Sequence, residues 1–182
     1  MPAEEGSLRG RSASTGGAVK LKIILLGDSG YVYKRFPPTK PPDYLEVLER
    51  EVNDKSAILQ ILDTSGQSLD ASRFNDVKGC MLVYDVNDDA SLKSLKNWRN
   101  EFNCRVVKKP WDPSTFPFLV VGNKVDLNLN KTSYLSNSQN AKQWCQEQGL
   151  LHHRLTSAKD HKTIVDAFQS LAQLVFEHEA KM

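Results

Sequence analysis

The chain predicts an α/β domain, a parallel β-sheet with helices packed on both faces. Two observations carry that reading. Short apolar runs alternate along the sequence with longer amphipathic ones, the order from which such layered domains are built. Two of the runs, CMLVYDV and FPFLVVG, are apolar on both faces, as central strands of a parallel sheet must be.

Taken in order, residues 1–18 are rich in Gly, Ser and Ala, lack periodicity, and read as a disordered leader to a single domain, 19–182. Strands are expected at 20–26, 44–52, 56–62, 80–86, 116–121 and, briefly, 151–155. A helix at 90–103 lines up Leu92, Leu95, Trp98 and Phe102 on one face at three- and four-residue steps. A second, at 136–148, carries Ala141, Trp144 and Cys145. The last, at 161–180, carries Ile164, Phe168, Leu171 and Val175, with Asp160 as its N-cap. One connection is abnormal. A parallel sheet needs a crossover after its first strand, usually a helix. Here YVYKRFPPTKPPD follows, and its prolines at 37, 38, 41 and 42 block helix.

Composition narrows the function classes. A net charge of +2 with scattered basic residues argues against nucleic acid as a partner. Three widely spaced cysteines, Cys80, Cys104 and Cys145, fit reduced thiols in the cytoplasm rather than a disulfide framework. No run approaches the roughly 18 apolar residues of a membrane span. Pro2 and the lack of any cysteine after Cys145 leave no signal for myristoylation or prenylation, so no lipid anchor is expected. His152 and His153 read as part of a surface strand, and Trp98 and Trp144 as core.

Four motifs carry chemistry. Gly27-Asp28-Ser29-Gly30 follows the first strand and begins the phosphate-binding pattern G-x-x-x-x-G-K-[ST] without finishing it. The second-glycine, lysine and hydroxyl positions hold Val32, Tyr33 and Lys34. Asp63-Thr64-Ser65-Gly66-Gln67 follows another strand. Asp63 could hold a metal ion through water, Gly66 permits close backbone approach to a phosphate, and Gln67 could orient an attacking water. Asn123-Lys124-Val125-Asp126 follows FLVVG. The Asp126 carboxylate suits the paired N–H donors of guanine, which adenine lacks; Lys124 would lie over the base and Asn123 would tie loops together. Thr156-Ser157-Ala158-Lys159 would complete that pocket with a backbone N–H and a lysine stem.

In this order and context, GDSG, DTSGQ, NKVDL and TSAK resemble the Ras superfamily of small GTPases. YVYKRF, the stretch Trp98–Phe102 and DPSTFPFLVVGNKVDL look like Rab proteins, most like the late-endosomal subgroup, and the likeness spans roughly residues 19–178. It implies a P-loop NTPase small G-domain with a six-stranded, mostly parallel sheet and one antiparallel edge strand. It also implies GTP or GDP and Mg²⁺ as ligands, effectors and regulators as partners, a monomer, and a switch in vesicle traffic at endosomal membranes. By that resemblance Gly27, Asp28, Ser29, Gly30, Gly66, Asn123, Lys124, Asp126, Ser157, Ala158 and Lys159 are nucleotide-binding. Asp63 would support the metal, and Gln67 would be the catalytic residue of GTP hydrolysis.

The departures decide activity. Members of the family carry about nine more residues between GDSG and YVYKRF, enough to complete the phosphate loop and most of the first helix. Losing three or four charge-assisted hydrogen bonds, at roughly 1.5–3 kcal/mol each, removes on the order of 5–10 kcal/mol. That is about four to seven decades of affinity. A missing helix also predicts a bared sheet face, at about 6–12 kcal/mol for four apolar anchors, comparable to the stability of a whole domain. The expectation is a Rab-like protein with impaired nucleotide binding and hydrolysis. Alternatives are a pseudo-GTPase that binds partners without cycling, and a splice or gene-model form of an intact relative.

Overall fold

Strand β1 (Val19–Leu26) sets the architecture, because its side chains serve two cores. Leu21, Ile23 and Leu25 point to one side of the sheet and Ile24 and Leu26 to the other, following the period-two alternation of a strand. The computed structural model describes residues 18–28, 45–52, 55–64, 71–106, 115–127 and 131–181. Beyond β1 these form β2 (Leu45–Val52), β3 (Lys55–Asp63), a short 3-10 turn (Ala71–Phe74) and β4 (Val77–Asp85). They continue as α1 (Asp89–Val106), β5 (Phe118–Asn123), α2 (Lys131–Glu147), β6 (His153–Leu155) and α3 (His161–Glu179).

The strands make one six-stranded sheet in the order β2-β3-β1-β4-β5-β6. β2 runs antiparallel to β3, and the other four pairings are parallel. The expected mostly parallel sheet with one antiparallel edge strand is therefore present. Residues 29–44, including the proline-rich connection, lie outside the described residues.

Helices α1 and α2 cover one face. Leu92, Leu95, Phe102, Ala141 and Cys145 meet Ile24, Leu82, Tyr84 and Val120 there. Phe102 is the centre of an aromatic group, with ring centroids 5.0 Å from Phe116, 5.2 Å from Phe118 and 5.9 Å from Phe74. Helix α3 covers the other face with Ala167, Phe168, Leu171, Ala172 and Val175. It sits close to β4 at Gly79, where a Cβ would come within 2.9 Å of Val175.

The bared face does not materialise. Leu21, Ile23, Ala57 and Leu59, on the strands that a first helix would overlie, are all fully buried and share a cluster with the α3 stripe. The stability loss inferred from exposed anchors is corrected accordingly.

Several boundaries differ from expectation. β4 starts at Val77, three residues early, because a register shift against β1 between Lys22 and Ile23 lets Lys78 bulge out before the apolar run. β5 is displaced to 118–123. α2 begins at Lys131, in the polar segment KTSYLSN, which offers no apolar stripe to read.

Candidate functional site

The carboxyl ends of the parallel strands carry the candidate residues, the usual position for ligands of open α/β sheets. Two groups form there, one after β5 and β6 and one after β1.

The first group is densely tied. Asn123 ends β5, is buried, and its side-chain carbonyl accepts a hydrogen bond from the Thr156 hydroxyl at 3.2 Å. Backbone bonds join the same segments, with Val125 N–H donating to Thr156 O at 3.2 Å and Thr156 N–H to Gly122 O at 2.8 Å. Asn123 thus links the two loops. Lys124 has φ 66°, a left-handed conformation uncommon outside glycine. Its ammonium pairs with the Asp85 carboxylate at 2.9 Å, and its carbonyl accepts from the Asn87 amide at 3.1 Å.

Asp126 is the group's acid. One carboxylate oxygen accepts from the Ser157 hydroxyl at 2.6 Å, and the other pairs with the Lys159 ammonium at 2.9 Å. These two bonds, Lys159 first and Ser157 second, hold its carboxyl below the usual range. The Lys159 N–H in turn donates to the Ser157 hydroxyl at 3.1 Å, and Ala158 lies between them, half-buried. Asp160 caps α3 directly afterwards, accepting from Lys162 N–H at 3.0 Å. Asn123, Lys124, Asp126, Ser157, Ala158 and Lys159 are therefore brought together.

Fewer residues of the group after β1 are described. A Cβ on Gly27 would stand 2.4 Å from the Val83 carbonyl oxygen, so no other residue fits where β1 ends beside β4. Asp28 is clasped by helix α1. Its carboxylate accepts from the Ser94 hydroxyl and from the Trp98 indole N–H, each at 2.8 Å. Ser29 and Gly30 lie outside the described residues, as do Gly66 and Gln67. Asp63 ends β3, half-buried, opposite Leu25 of β1. The Thr64 hydroxyl beside it is fully buried, without a hydrogen-bond partner among the described residues.

These residues meet the two halves of a nucleotide differently. The Asp126 carboxylate, the Lys124 stem and the bridge between the loops have the chemistry that a guanine base requires. A magnesium ion finds less. No group of three or more His, Cys, Asp or Glu that could hold a metal occurs among the described residues. In the sequence, the hydroxyl position of the phosphate loop is Lys34, a cation.

Three participants were not visible in the sequence. Asp85 was passed over as part of an apolar run, yet it anchors both Lys124 and Asn87. Trp98 was read as core, yet it is half-buried with its N–H committed to Asp28. His153 was read as surface strand, yet its Nε2 shares a hydrogen bond with the hydroxyl of fully buried Tyr84 at 3.0 Å. Burial, then the nearby Lys142 and Arg154 charges, push the His153 pKa down to about 4.

Comparison with known proteins decides the lineage. The model of the Ras family matches residues 22–177. The chain belongs to the Ras family. Ras-related protein RABG3b of Arabidopsis thaliana is 37% identical, over 87% of this chain and 85% of the relative. Ras-related protein Rab7 of Cenchrus ciliaris is 38% identical over 87% and 84%, and Rab7 of Drosophila melanogaster 39% identical over 88% and 83%. Within the family the chain is a small GTPase of the Rab kind, in the Rab7-like late-endosomal subgroup. By family its ligands are GTP or GDP with Mg²⁺, and its partners are regulators and effectors. No described helix is long and apolar enough to cross a membrane.

Proposed function

We propose that this chain is a Rab7-like protein of endosomal vesicle traffic that keeps the base-recognising half of a guanine-nucleotide switch and has lost the phosphate-holding half. The observation that carries the reading is the contrast between the two groups. Asn123, Lys124, Asp126, Ser157, Ala158 and Lys159 converge on one loop pair. After Gly30 the sequence instead runs directly into Tyr31-Val32-Tyr33, without the lysine and hydroxyl that grip phosphate and metal. Asp126 selects guanine, Lys124 and Lys159 flank the base, and Asn123 holds the loops at the right separation. Gly27, Asp28, Ser29 and Gly30 keep only the start of the phosphate-loop sequence, and Gly66 is assigned to phosphate binding by the family pattern. Gln67 and Asp63 are left without the charges that stabilise phosphoryl transfer, so hydrolysis is very weak. Titration of a fluorescent GDP analogue with and without Mg²⁺ tests this. Weak, Mg²⁺-independent binding is expected, and submicromolar binding that requires Mg²⁺ would overturn the reading.

A second reading, a partner-binding pseudo-GTPase that never cycles, is favoured by one observation. The groups a base would satisfy have partners inside the chain, with Lys124 on Asp85 and Asp126 on Ser157 and Lys159. It predicts a melting temperature unmoved by GTP or GDP, and a large nucleotide-dependent rise would sink it.

A further inference from the structure

The turn that ends β4, residues 85–88, supplies none of the recognition motifs, yet three elements hold it in place. Helix α1 holds it through buried Ser91, which accepts from the Asp85 N–H at 2.9 Å and donates to the Asp88 carbonyl at 2.7 Å. Helix α2 holds it through buried Asn137, whose amide donates to the Val86 carbonyl at 3.1 Å. Strand β5 is joined to it by the Val86 N–H, which donates to the Asn123 carbonyl at 3.1 Å. The turn is therefore fixed by contacts inside the chain.

From this turn two side chains reach Lys124. One oxygen of the nearly buried Asp85 carboxylate pairs with the Lys124 ammonium at 2.9 Å. The other accepts from the Asn87 N–H at 2.8 Å and from the Asn87 side-chain amide at 3.1 Å. That amide nitrogen also donates to the Lys124 carbonyl at 3.1 Å. Its orientation is determined, because turning the amide over would set an oxygen against two acceptors. The amide oxygen is buried without a hydrogen-bond partner among the described residues, so Asn87 is held there by its donors. Lys124 is thus gripped at its ammonium and at its carbonyl, and it is the residue with φ 66°. A lysine stays in that region only where its surroundings over-determine it.

We infer that Asp85 and Asn87 are positioning residues of the base-recognising group, holding Lys124 in its left-handed conformation so that its stem, with the ammonium tethered, meets a guanine base. The inference rests on the guanine reading above and adds two residues that act through Lys124 rather than on the ligand. The Lys124 side chain is still 24% exposed, so the tether leaves part of it open. A site held in its binding form by such supports loses less affinity to ordering. The enclosed ion pair also makes either partner costly to remove alone, since the other charge is left behind.

A mutant cycle in the full chain, with Asp85→Asn, Lys124→Met and their combination, tests the assignment. Lys124→Met keeps the stem and removes the ammonium. Without ligand it should melt below the parent, and adding Asp85→Asn should raise the melting temperature again, because no lone carboxylate remains. Backbone carbon shifts should show a left-handed Lys124 in the ligand-free parent and its loss in Asn87→Ala. Asp85→Asn should weaken binding of the fluorescent GDP analogue roughly tenfold, and leave binding by Lys124→Met unchanged. Equal weakening in both backgrounds would make Asp85 a general support of the fold and overturn the proposal. So would a left-handed Lys124 retained in Asn87→Ala. If the parent binds the analogue and the cycle is additive, the positioning role alone is lost. If the parent does not bind at all, the guanine reading fails and the positioning role falls with it.

Discussion

The ends of β5 and β6 and the end of β1 face the same edge of the sheet, yet they are organised by different forces. After β5 and β6, every polar side chain of the recognition motifs is held by another residue of the same two loops or of β4. Thr156 holds Asn123, Asp85 holds Lys124, and Ser157 and Lys159 hold Asp126. After β1, Gly27 is fixed by backbone packing against Val83, and Asp28 is held by Ser94 and Trp98 of helix α1. On the proposed reading, the two ends differ in which part of a ligand site survives loss of sequence. A base pocket closed by side chains of neighbouring loops keeps its form without ligand. A phosphate cradle made of consecutive backbone N–H groups disappears with the residues that carried them.

The largest effect should come from repairing the poorer end. Inserting the roughly nine residues that complete G-x-x-x-x-G-K-[ST] between Gly30 and Tyr31 restores the phosphate and metal contacts. Affinity for GDP should rise by about four to seven decades and become Mg²⁺-dependent. If the repaired chain binds the fluorescent analogue no better than the parent, the base group is not a working half-site and the comparison collapses.

The next effect belongs to the well-tied end. Tyr84 and His153 meet across β5 because Gly122 leaves room; a Cβ there would lie 2.7 Å from the Tyr84 hydroxyl oxygen. The ring is neutral, with a pKa near 4 caused first by burial and then by Lys142 and Arg154. The folded-state value lies below the ordinary 6.5, so the unfolded chain binds the proton first. Stability is therefore complete above about pH 6.5 and declines as pH falls toward 4. The full gap amounts to about 3 kcal/mol, trimmed to about 2 by the part of the ring open to water. Melting curves between those pH values should show this limb. The Tyr84→Phe, His153→Phe double variant, which leaves no orphaned hydroxyl, should flatten it, and an unchanged slope would remove His153 from the account.

Much of this fold was readable because its signal is periodic. The α1 stripe Leu92, Leu95 and Phe102 and the α3 stripe Phe168, Leu171 and Val175 are buried as their spacing requires. The motifs after β5 and β6 were readable because they are contiguous and each follows a strand. Contacts between residues far apart in sequence leave no such trace. Trp98 fits a helical stripe whether its ring is core or its N–H reaches Asp28, and His153 sits in a three-residue strand too short for alternation to show a face. Asp85 was hidden by its apolar neighbours. The closed α3 face was missed for another reason, since counting the anchors of an absent helix says nothing of how the remaining apolar surface is covered.

A smaller effect separates packing from ligand binding at β1. Glycine at position 27 would be required for phosphate approach in an intact site, but its contact with Val83 O requires it regardless of ligand. Gly27→Ala should lower stability by about 1–3 kcal/mol through overpacking, with no nucleotide present. Chemical denaturation reads this directly, and a variant as stable as the parent would mean that the glycine serves the ligand alone.

The smallest predicted effect probes how the β1 end is held. Trp98→Phe keeps a ring on α1 and removes the N–H that Asp28 accepts, while Ser94→Ala removes the other donor. Hydrogen bonds to a charged acceptor contribute roughly 1.5–3 kcal/mol when well buried, and this site is half-open, so about 1 kcal/mol is expected for each variant. If the two donors act as one clasp, the double variant should depart from the sum of the singles. Amide exchange at Gly27 and Asp28 should then accelerate while exchange along β5 stays as it was. Acceleration at both ends would show that the two groups are one cooperative unit, and the contrast drawn between them would have to be given up.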